Sequence, residues 1–328
     1  MVSTSTSLLA TIALFILGIL FIVKGGDWFV DAATWMAEAS GLPQFLIGAT
    51  VVSMATTLPE IIVSTMAAAE GSTDMAIGNA IGSVTANTGM IMAISLIFMP
   101  VVIRRSQFAV KGLLMVISTL ALWLLCRDGV LSLPESLIIL ALFVFFICEN
   151  IRSAKQLSAE EPSSQEAPVD KSKKALLKNV ALFVLGAACL VIGSNLLVDN
   201  GTILAQLLGV SERIIAVTMV AIGTSLPELV TAITAIVKKQ SSMSVGNILG
   251  ANIIDITIIL PLCALISGNG LQIAAQSVRQ TVYLDMPVCV LVSAIAVIPT
   301  LFLKRFTKLQ GIIMLCLYIA YVIITVHI

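Results

Sequence analysis

Two carboxylates, Glu60 and Glu228, stand in the middle of long apolar runs, each directly after a proline, in Thr56-Thr57-Leu58-Pro59-Glu60 and Thr224-Ser225-Leu226-Pro227-Glu228. Acidic side chains at bilayer depth are expensive and by default mark an ion or proton path. Proline lacks an N–H and clashes with the carbonyl four residues back, here Ala55 and Gly223. Helix breaks at this depth are tolerated where the freed backbone lines a polar cavity. The carbonyls of Ser53, Thr56, Ala221 and Thr224 therefore become available oxygens, and the hydroxyls of Thr56, Thr57, Thr224 and Ser225 lie within one turn of the glutamates.

The following apolar runs add to this set. Gly78-Asn79-Ala80-Ile81-Gly82-Ser83-Val84-Thr85-Ala86-Asn87 aligns with Gly246-Asn247-Ile248-Leu249-Gly250-Ala251-Asn252-Ile253-Ile254-Asp255. Ser83 and Asn87 share a helix face by their spacing, as do Ala251 and Asp255. The donors are carboxylate, amide, hydroxyl and carbonyl oxygens with no His or thiolate, which suits Ca²⁺ or Na⁺ and argues against zinc or copper. Glu60, Glu228 and Asp255 carry three negative charges if all ionise, which matches three monovalent ions. One divalent ion needs two of them and leaves Asp255 able to hold a proton. A site near neutral when filled and costly to move when empty favours exchange over one-way flux.

The elements that position these residues are duplicated. The two motif glutamates differ by 228 − 60 = 168 residues, and the same gapless shift overlays Gly18 on Gly186, Asp31 on Asp199, Thr50 on Thr218, Gly78-Asn79 on Gly246-Asn247 and Gly82 on Gly250. The chain of 328 residues is 59% hydrophobic and 11% charged, with a mean hydropathy of +1.08, which places it among integral membrane proteins. Zero net charge and the absence of a basic block with aromatics disfavour nucleic-acid binding. Continuous apolar runs exclude a β-barrel, which alternates. Runs at 8–34, 42–68, 75–100, 108–126, 131–151, 177–200, 210–237, 244–267, 281–303 and 309–327 each suit one membrane-spanning helix. The fold class is thus all-α, with ten transmembrane helices in two five-helix repeats, residues 1–151 and 177–328, joined by a polar, flexible linker at 152–176. The run from Leu8 to Val23 lacks a preceding Lys or Arg and is too long for a signal peptide, so it reads as a retained span. The six cysteines show no metal spacing and read as small apolar packing.

Basic residues set the topology. Arg104, Arg105, Lys111, the linker lysines with Arg152, Lys238, Lys239, Lys304, Arg305 and Lys308 fall on one side, against Arg127, Arg213 and Arg279 on the other. Both termini are expected outside and the linker in the cytoplasm, in a multi-pass integral membrane protein. Five spans per repeat make the second copy enter from the opposite side, and inverted repeats place substrate near the midplane.

Two inverted copies of Thr/Ser-Leu-Pro-Glu followed by Gly-Asn-x-x-Gly-x-x-x-x-Asn/Asp resemble the α-repeats of the cation/Ca²⁺ antiporter superfamily, and most nearly the prokaryotic sodium/calcium exchangers. The resemblance covers essentially all ten spans. It implies that Glu60 and Glu228 are the central Ca²⁺ ligands, helped by the Thr56 and Thr224 carbonyls. Thr57, Ser83, Ser225 and the Ser53 and Ala221 carbonyls would complete flanking Na⁺ sites, with Asn87 and Asp255 at the middle position. It also implies that the first and sixth helices slide across an eight-helix core; Gly18, Gly25, Gly26, Gly186 and Gly193 suit that surface. Ala251 stands where the family usually has a serine, so one flanking site has a ligand fewer. Ala55 and Val84 also depart from the usual pattern. Asn87 separates the chain from potassium-dependent relatives, and no glutamate follows Gly78-Asn79 as in the proton/calcium branch.

Function is therefore expected to be Ca²⁺/Na⁺ antiport by alternating access, with exchange of Ca²⁺ or another divalent cation for H⁺ as the alternative. No enzymatic activity and no cofactor beyond the transported ions are expected, and the functional unit reads as a monomer within the lipid bilayer. A channel filter normally needs oligomeric rings, whereas this chain carries its own internal pair. Asn79 and Asn247 read as structural, Lys24 and Asp27 as a local pair, and Asp31 and Asp199 as helix-end acids. Asp285 reads either as a cap or as part of an outer ion funnel, and His327 carries no role.

Overall fold

Long apolar segments punctuated by short turns give an almost wholly helical chain, seen in a computed structural model that describes residues 2–98, 105–160, 169–208, 223 and 225–327. The helices are α1 (Val2–Ser40), α2 (Gln44–Thr56), α3 (Leu58–Ala69), α4 (Thr73–Phe98), α5 (Arg105–Leu125), α6 (Leu133–Glu160), α7 (Lys173–Leu207), α8 (Leu226–Val237), α9 (Ser241–Ser267), α10 (Ala275–Leu303) and α11 (Lys308–His327). Among the described residues, eight helices are long and apolar enough to cross a membrane, and nine spans result if the bent pair α2–α3 is one of them. The first part of the expected seventh span, with Arg213 and Thr218, lies outside the described residues, as does Arg104. Leucine, isoleucine and phenylalanine side chains cover the outer surface (Leu9, Ile62, Ile138, Leu177 and Phe302 among them), as a lipid-facing surface requires.

Several helices outrun the expected spans, α1 and α7 most of all, and α6 and α7 reach into the expected flexible linker, over 152–160 and 173–176. At 39 and 35 residues, α1 and α7 are nearly twice the roughly 20 residues a bilayer core needs, so they cross at a steep tilt or project beyond it. They make the most extensive helix pair of the structure and run antiparallel. Glycine permits this approach. A Cβ on Gly18 would lie 3.0 Å from the Gly193 carbonyl, and one on Gly25 would lie 2.9 Å from that of Gly186. Gly26 instead faces Val230 and Thr234 of α8, each 3.0 Å from a Cβ placed there.

Three apolar clusters fill the interior, one around Ile77, Ile81, Leu122 and Leu260, one around Phe108, Met115, Phe146 and Phe306, and one beneath α1 around Phe29, Val30 and Leu190. A two-stranded antiparallel ribbon, β1 (Val130–Leu131) with β2 (Leu271–Gln272), ties the two halves at one end. Next to it, Asp74 accepts hydrogen bonds from Ala274 N (2.7 Å) and Ser277 Oγ (3.0 Å).

Several sequence readings are corrected. Lys111 is not a loop charge. It is 1% exposed inside α5, where its Nζ lies 3.5 Å from Ser153 Oγ, and Ser153 donates to Glu149 at 3.0 Å. Asp27 and Asp31 are not merely local or terminal, because both pair with Lys238, at 3.3 and 2.7 Å. Asp285 caps no helix end: it lies within α10 and accepts from Tyr321 Oη at 3.1 Å. Cys148 and Cys316 are exposed rather than packed, while Cys126, Cys263 and Cys289 are buried as expected.

Candidate functional site: a buried carboxylate cluster

The apolar run of α2 continues into α3 through a 44° bend at Thr57. Proline takes a position in the first turn of α3, where its missing N–H is no loss. That turn also carries Glu60, whose carboxylate is favoured by the positive end of the helix dipole. The second motif repeats the geometry. Thr57 and Ser225 have φ/ψ of −80/−3° and −86/6°, and their carbonyls accept from Ile61 N and Leu229 N at 3.0 Å each. Glu228 occupies the first turn of α8.

The following helices widen at matching positions. A π-helical turn begins at Asn87 in α4 and another at Asp255 in α9. The backbone N–H of Asn87 reaches the Ser83 and Val84 carbonyls, and that of Asp255 reaches the equivalent Ala251 and Asn252 carbonyls. π-turns inside α-helices are frequent at functional sites.

Close backbone packing brings α9 onto α2. A Cβ on Gly246 would strike the Phe45 carbonyl, one on Gly48 the Met243 carbonyl, and one on Gly250 the Ser53 side chain. The Gly-Asn-x-x-Gly spacing thus puts two hydrogens, rather than two methyls, on the face α9 turns to α2. Small residues at such crossings are how membrane helices approach.

The resulting centre is buried and short of partners. Glu60, Glu228 and Asp255 are 0, 0 and 1% exposed, and among the described residues no carboxylate oxygen of the three has a hydrogen-bond partner. The same holds for the side-chain polar atoms of Ser83, Asn87 and Ser225, all at most 3% exposed. The three acids lie near enough to repel one another. Buried polar groups are normally satisfied, and a buried charge needs a counter-charge. Among the described residues these oxygens have no basic partner, and a cation is the counter-charge that such a set is suited to accept. Among the described residues no three His, Cys, Asp or Glu side chains are gathered tightly enough to hold a metal alone, so neutral oxygens must complete the shell.

Those oxygens are present in α2. Thr57 Oγ1 donates to the Ser53 carbonyl at 2.7 Å, and Thr56 Oγ1 lies 3.3 Å from it and 3.2 Å from Asn247 Oδ1. A hydroxyl that donates keeps lone pairs for a cation, and Thr56 neighbours the Glu228 carboxylate. The Ser53 carbonyl also accepts from Thr57 N at 3.0 Å, so it is the most engaged of the expected ligands. Ala221 and Thr224 lie outside the described residues. The structure brings Ser53, Thr56, Thr57, Glu60, Ser83, Asn87, Ser225, Glu228 and Asp255 into buried positions on neighbouring segments.

Sequence reasoning missed some polar neighbours. Asn247, read as structural, accepts from the Thr56 hydroxyl at 3.2 Å and so braces an expected ligand, while its repeat counterpart Asn79 donates to Ser64 Oγ at 2.9 Å. Asn252 donates to Thr88 at 2.7 Å and ties α9 to the π-turn of α4. Thr231, one turn beyond Glu228, has a buried hydroxyl with no partner. Their signal was only a polar side chain in an apolar run, with no repeat-equivalent polar residue to reinforce Asn252 or Thr231.

Comparison with known proteins places this geometry. A family model described as sodium/calcium exchanger protein matches residues 10–151 and 178–327. The chain is 35% identical to inner membrane protein YrbG of Escherichia coli over 82% of this chain and 84% of that one. It is 27% identical to the sodium/calcium exchanger MaX1 of Methanosarcina acetivorans, over 95% of this chain and 97% of the relative. Among solved structures, the sodium-calcium exchanger NCX_Mj superposes with a TM-score of 0.80 at 27% identity, covering 95% of this chain and 98% of that one.

Proposed function

The chain belongs to the sodium/calcium exchanger family, and on that premise we propose that it exchanges Ca²⁺ for Na⁺ across the membrane by alternating access. The observation that carries the reading is the set of three buried carboxylates without partners, surrounded by hydroxyl, amide and carbonyl oxygens. Glu60 and Glu228 hold Ca²⁺ with the Thr56 and Thr224 carbonyls. Thr57, Ser83, Ser225 and the Ser53 and Ala221 carbonyls hold flanking Na⁺, and Asn87 and Asp255 take the middle position. Burial makes the coupling. An empty site keeps its uncompensated charges in a low-dielectric interior, where each ion costs several kcal/mol. The carrier therefore reorients with Ca²⁺ or Na⁺ aboard. Na⁺ suits the oxygen set as well as a proton does, and the exchanger relatives favour it over H⁺.

The architecture proposed is ten membrane helices in two inverted repeats, 1–151 and 177–328, joined by a cytoplasmic linker at 152–176, with both termini outside. The glycine contacts support it. Gly18 meets Gly193 and Gly25 meets Gly186, and the 168-residue shift turns each pair into the other, as a pseudo-two-fold axis requires. The protein acts as a monomer in the inner membrane, without cofactor or enzymatic activity. The test is Ca²⁺ uptake into vesicles under an outward Na⁺ gradient. Sodium should drive it and a pH gradient alone should not; the reverse result would replace Na⁺ by H⁺.

A further inference from the structure

A cavity of about 200 Å³ lies between the two motifs and α7. Pro59 and Pro227 form one wall, so it abuts the residues that precede both glutamates. Ser194, Asn195 and Asp199, one helical turn apart or adjacent on α7, supply the polar side chains of the other. Ser194 is 3% exposed, and its hydroxyl has no hydrogen-bond partner among the described residues. Asn195 and Asp199 are exposed, and Asp199 forms no ion pair or side-chain hydrogen bond within the described residues.

The other repeat uses the same positions differently. Asp199 and Asn195 correspond to Asp31 and Asp27 of α1 under the 168-residue shift. Both of those acids pair with the single Lys238, at 2.7 and 3.3 Å, and Lys238 Nζ also donates to the Asp27 carbonyl at 3.1 Å. That end of α1 lies on the linker side, since Trp35 Nε1 donates to the Asp170 carbonyl at 3.3 Å. The position equivalent to Lys238 in the first repeat is Glu70, which supplies no counter-charge. The α7 face thus carries, on a cavity bounded by both motif prolines, a carboxylate without a cationic partner among the described residues, an amide and a buried hydroxyl, while the equivalent acids on the linker face share a lysine.

We propose that Ser194, Asn195 and Asp199 form a cation-capture site, where a partly hydrated Ca²⁺ is held before it passes between Pro59 and Pro227. The proposal rests on the exchange reading above. Three oxygen donors are fewer than the six to eight that Ca²⁺ takes, so water completes the shell and the ion is held weakly. Weak holding is what transit requires, and one carboxylate at a constricted mouth raises the local cation concentration.

The experiment is Na⁺-driven uptake of radiolabelled Ca²⁺ by the full chain in sealed vesicles with the linker side inside, at low and high ionic strength. Asp199→Asn should raise half-saturating Ca²⁺ about 3- to 10-fold at low ionic strength, in the range expected of electrostatic focusing, with the maximal rate unchanged. Ser194→Ala should raise it by a smaller factor that salt does not remove. Asp128→Asn, an equal charge change outside the cavity, should leave it unaltered. Sodium-driven uptake by the unaltered protein checks the exchange reading separately. With that uptake present, an Asp199→Asn protein that saturates like the unaltered one overturns the capture site. An effect matched by Asp128→Asn, or a silent Ser194→Ala, reduces it to general surface charge and overturns it as well.

Discussion

Replacing Glu60 by Gln removes one negative charge from a centre in which Glu60 and Glu228 are wholly buried, Asp255 is 1% exposed, and none has a partner. Two effects of opposite sign follow. Without bound cation, the substitution relieves repulsion among three neighbouring acids and the desolvation of one, a relief of the order of several kcal/mol for an ionised group. With cation, it deletes what we propose to be a central ligand. The unaltered protein at a Ca²⁺ concentration about 100 times its Kd should gain about 2.7 kcal/mol, a rise in melting temperature of roughly 4 °C for a chain of 328 residues. The Glu60→Gln protein should melt at or above the unaltered protein in chelator and show no Ca²⁺-dependent rise. Melting followed by intrinsic fluorescence in detergent, with and without Ca²⁺, reads both quantities. Glu70→Gln serves as the control, because Glu70 is exposed, and it should keep the full Ca²⁺ response. A Glu60→Gln protein that retains the Ca²⁺-dependent rise would refute the assignment of this carboxylate as a ligand. One that melts far below the unaltered protein in chelator would show that Glu60 has a structural partner after all.

Other substitutions probe different parts of the molecule. Lys238→Met frees Asp27 and Asp31, and partly exposed pairs contribute up to about 1 kcal/mol. A shift of about fivefold toward the state open on the linker side should lower half-saturating Ca²⁺ there and raise it on the opposite face, as paired flux assays would show. Gly186→Val places a side chain where even a Cβ would lie 2.7 Å from Phe29 N and 2.8 Å from the Gly25 carbonyl. Exchange should slow at least tenfold while Ca²⁺ binding, measured by equilibrium dialysis, persists. Ala251→Ser adds a hydroxyl at a position 0% exposed and one turn before Asp255. The Na⁺ dependence of exchange should change in midpoint or steepness, with the Ca²⁺ dependence altered less than twofold.

The centre was legible because its signals were costly in context. An acid after a proline in an apolar run, repeated at a fixed shift, points to one place, and Glu60, Glu228 and Asp255 proved buried together. What stayed hidden depends on how helices lean on one another. The pairing of Lys238 with Asp27 and Asp31 joins residues more than 200 positions apart, and no local pattern encodes it. Lys111 looked like a loop charge because composition cannot show that α6 turns Ser153 and Glu149 toward it. The lengths of α1 and α7 were underestimated for a related reason. Hydropathy marks where lipid contact ends, while a helix ends only where its backbone finds another partner.

The π-turns at Asn87 and Asp255 have an implication for how these helices tolerate change in length. Each turn accommodates an extra residue, and one residue advances a helix by about 100°. Side chains before and after the turn are therefore out of phase with a single straight stripe. Upstream, Ser83 and Asn87 belong to the carboxylate centre. Downstream, α4 presents Ala93 and Leu96 to Gly311 of α11, where a Cβ would lie 2.7 Å from the Ala93 carbonyl. One helix thus addresses two unrelated neighbours by slipping its phase once, at Asn87. Removing a single residue between Asn87 and Met92 would restore an uninterrupted α-helix and swing every downstream side chain away from α11. In this segment, length is as constrained as identity.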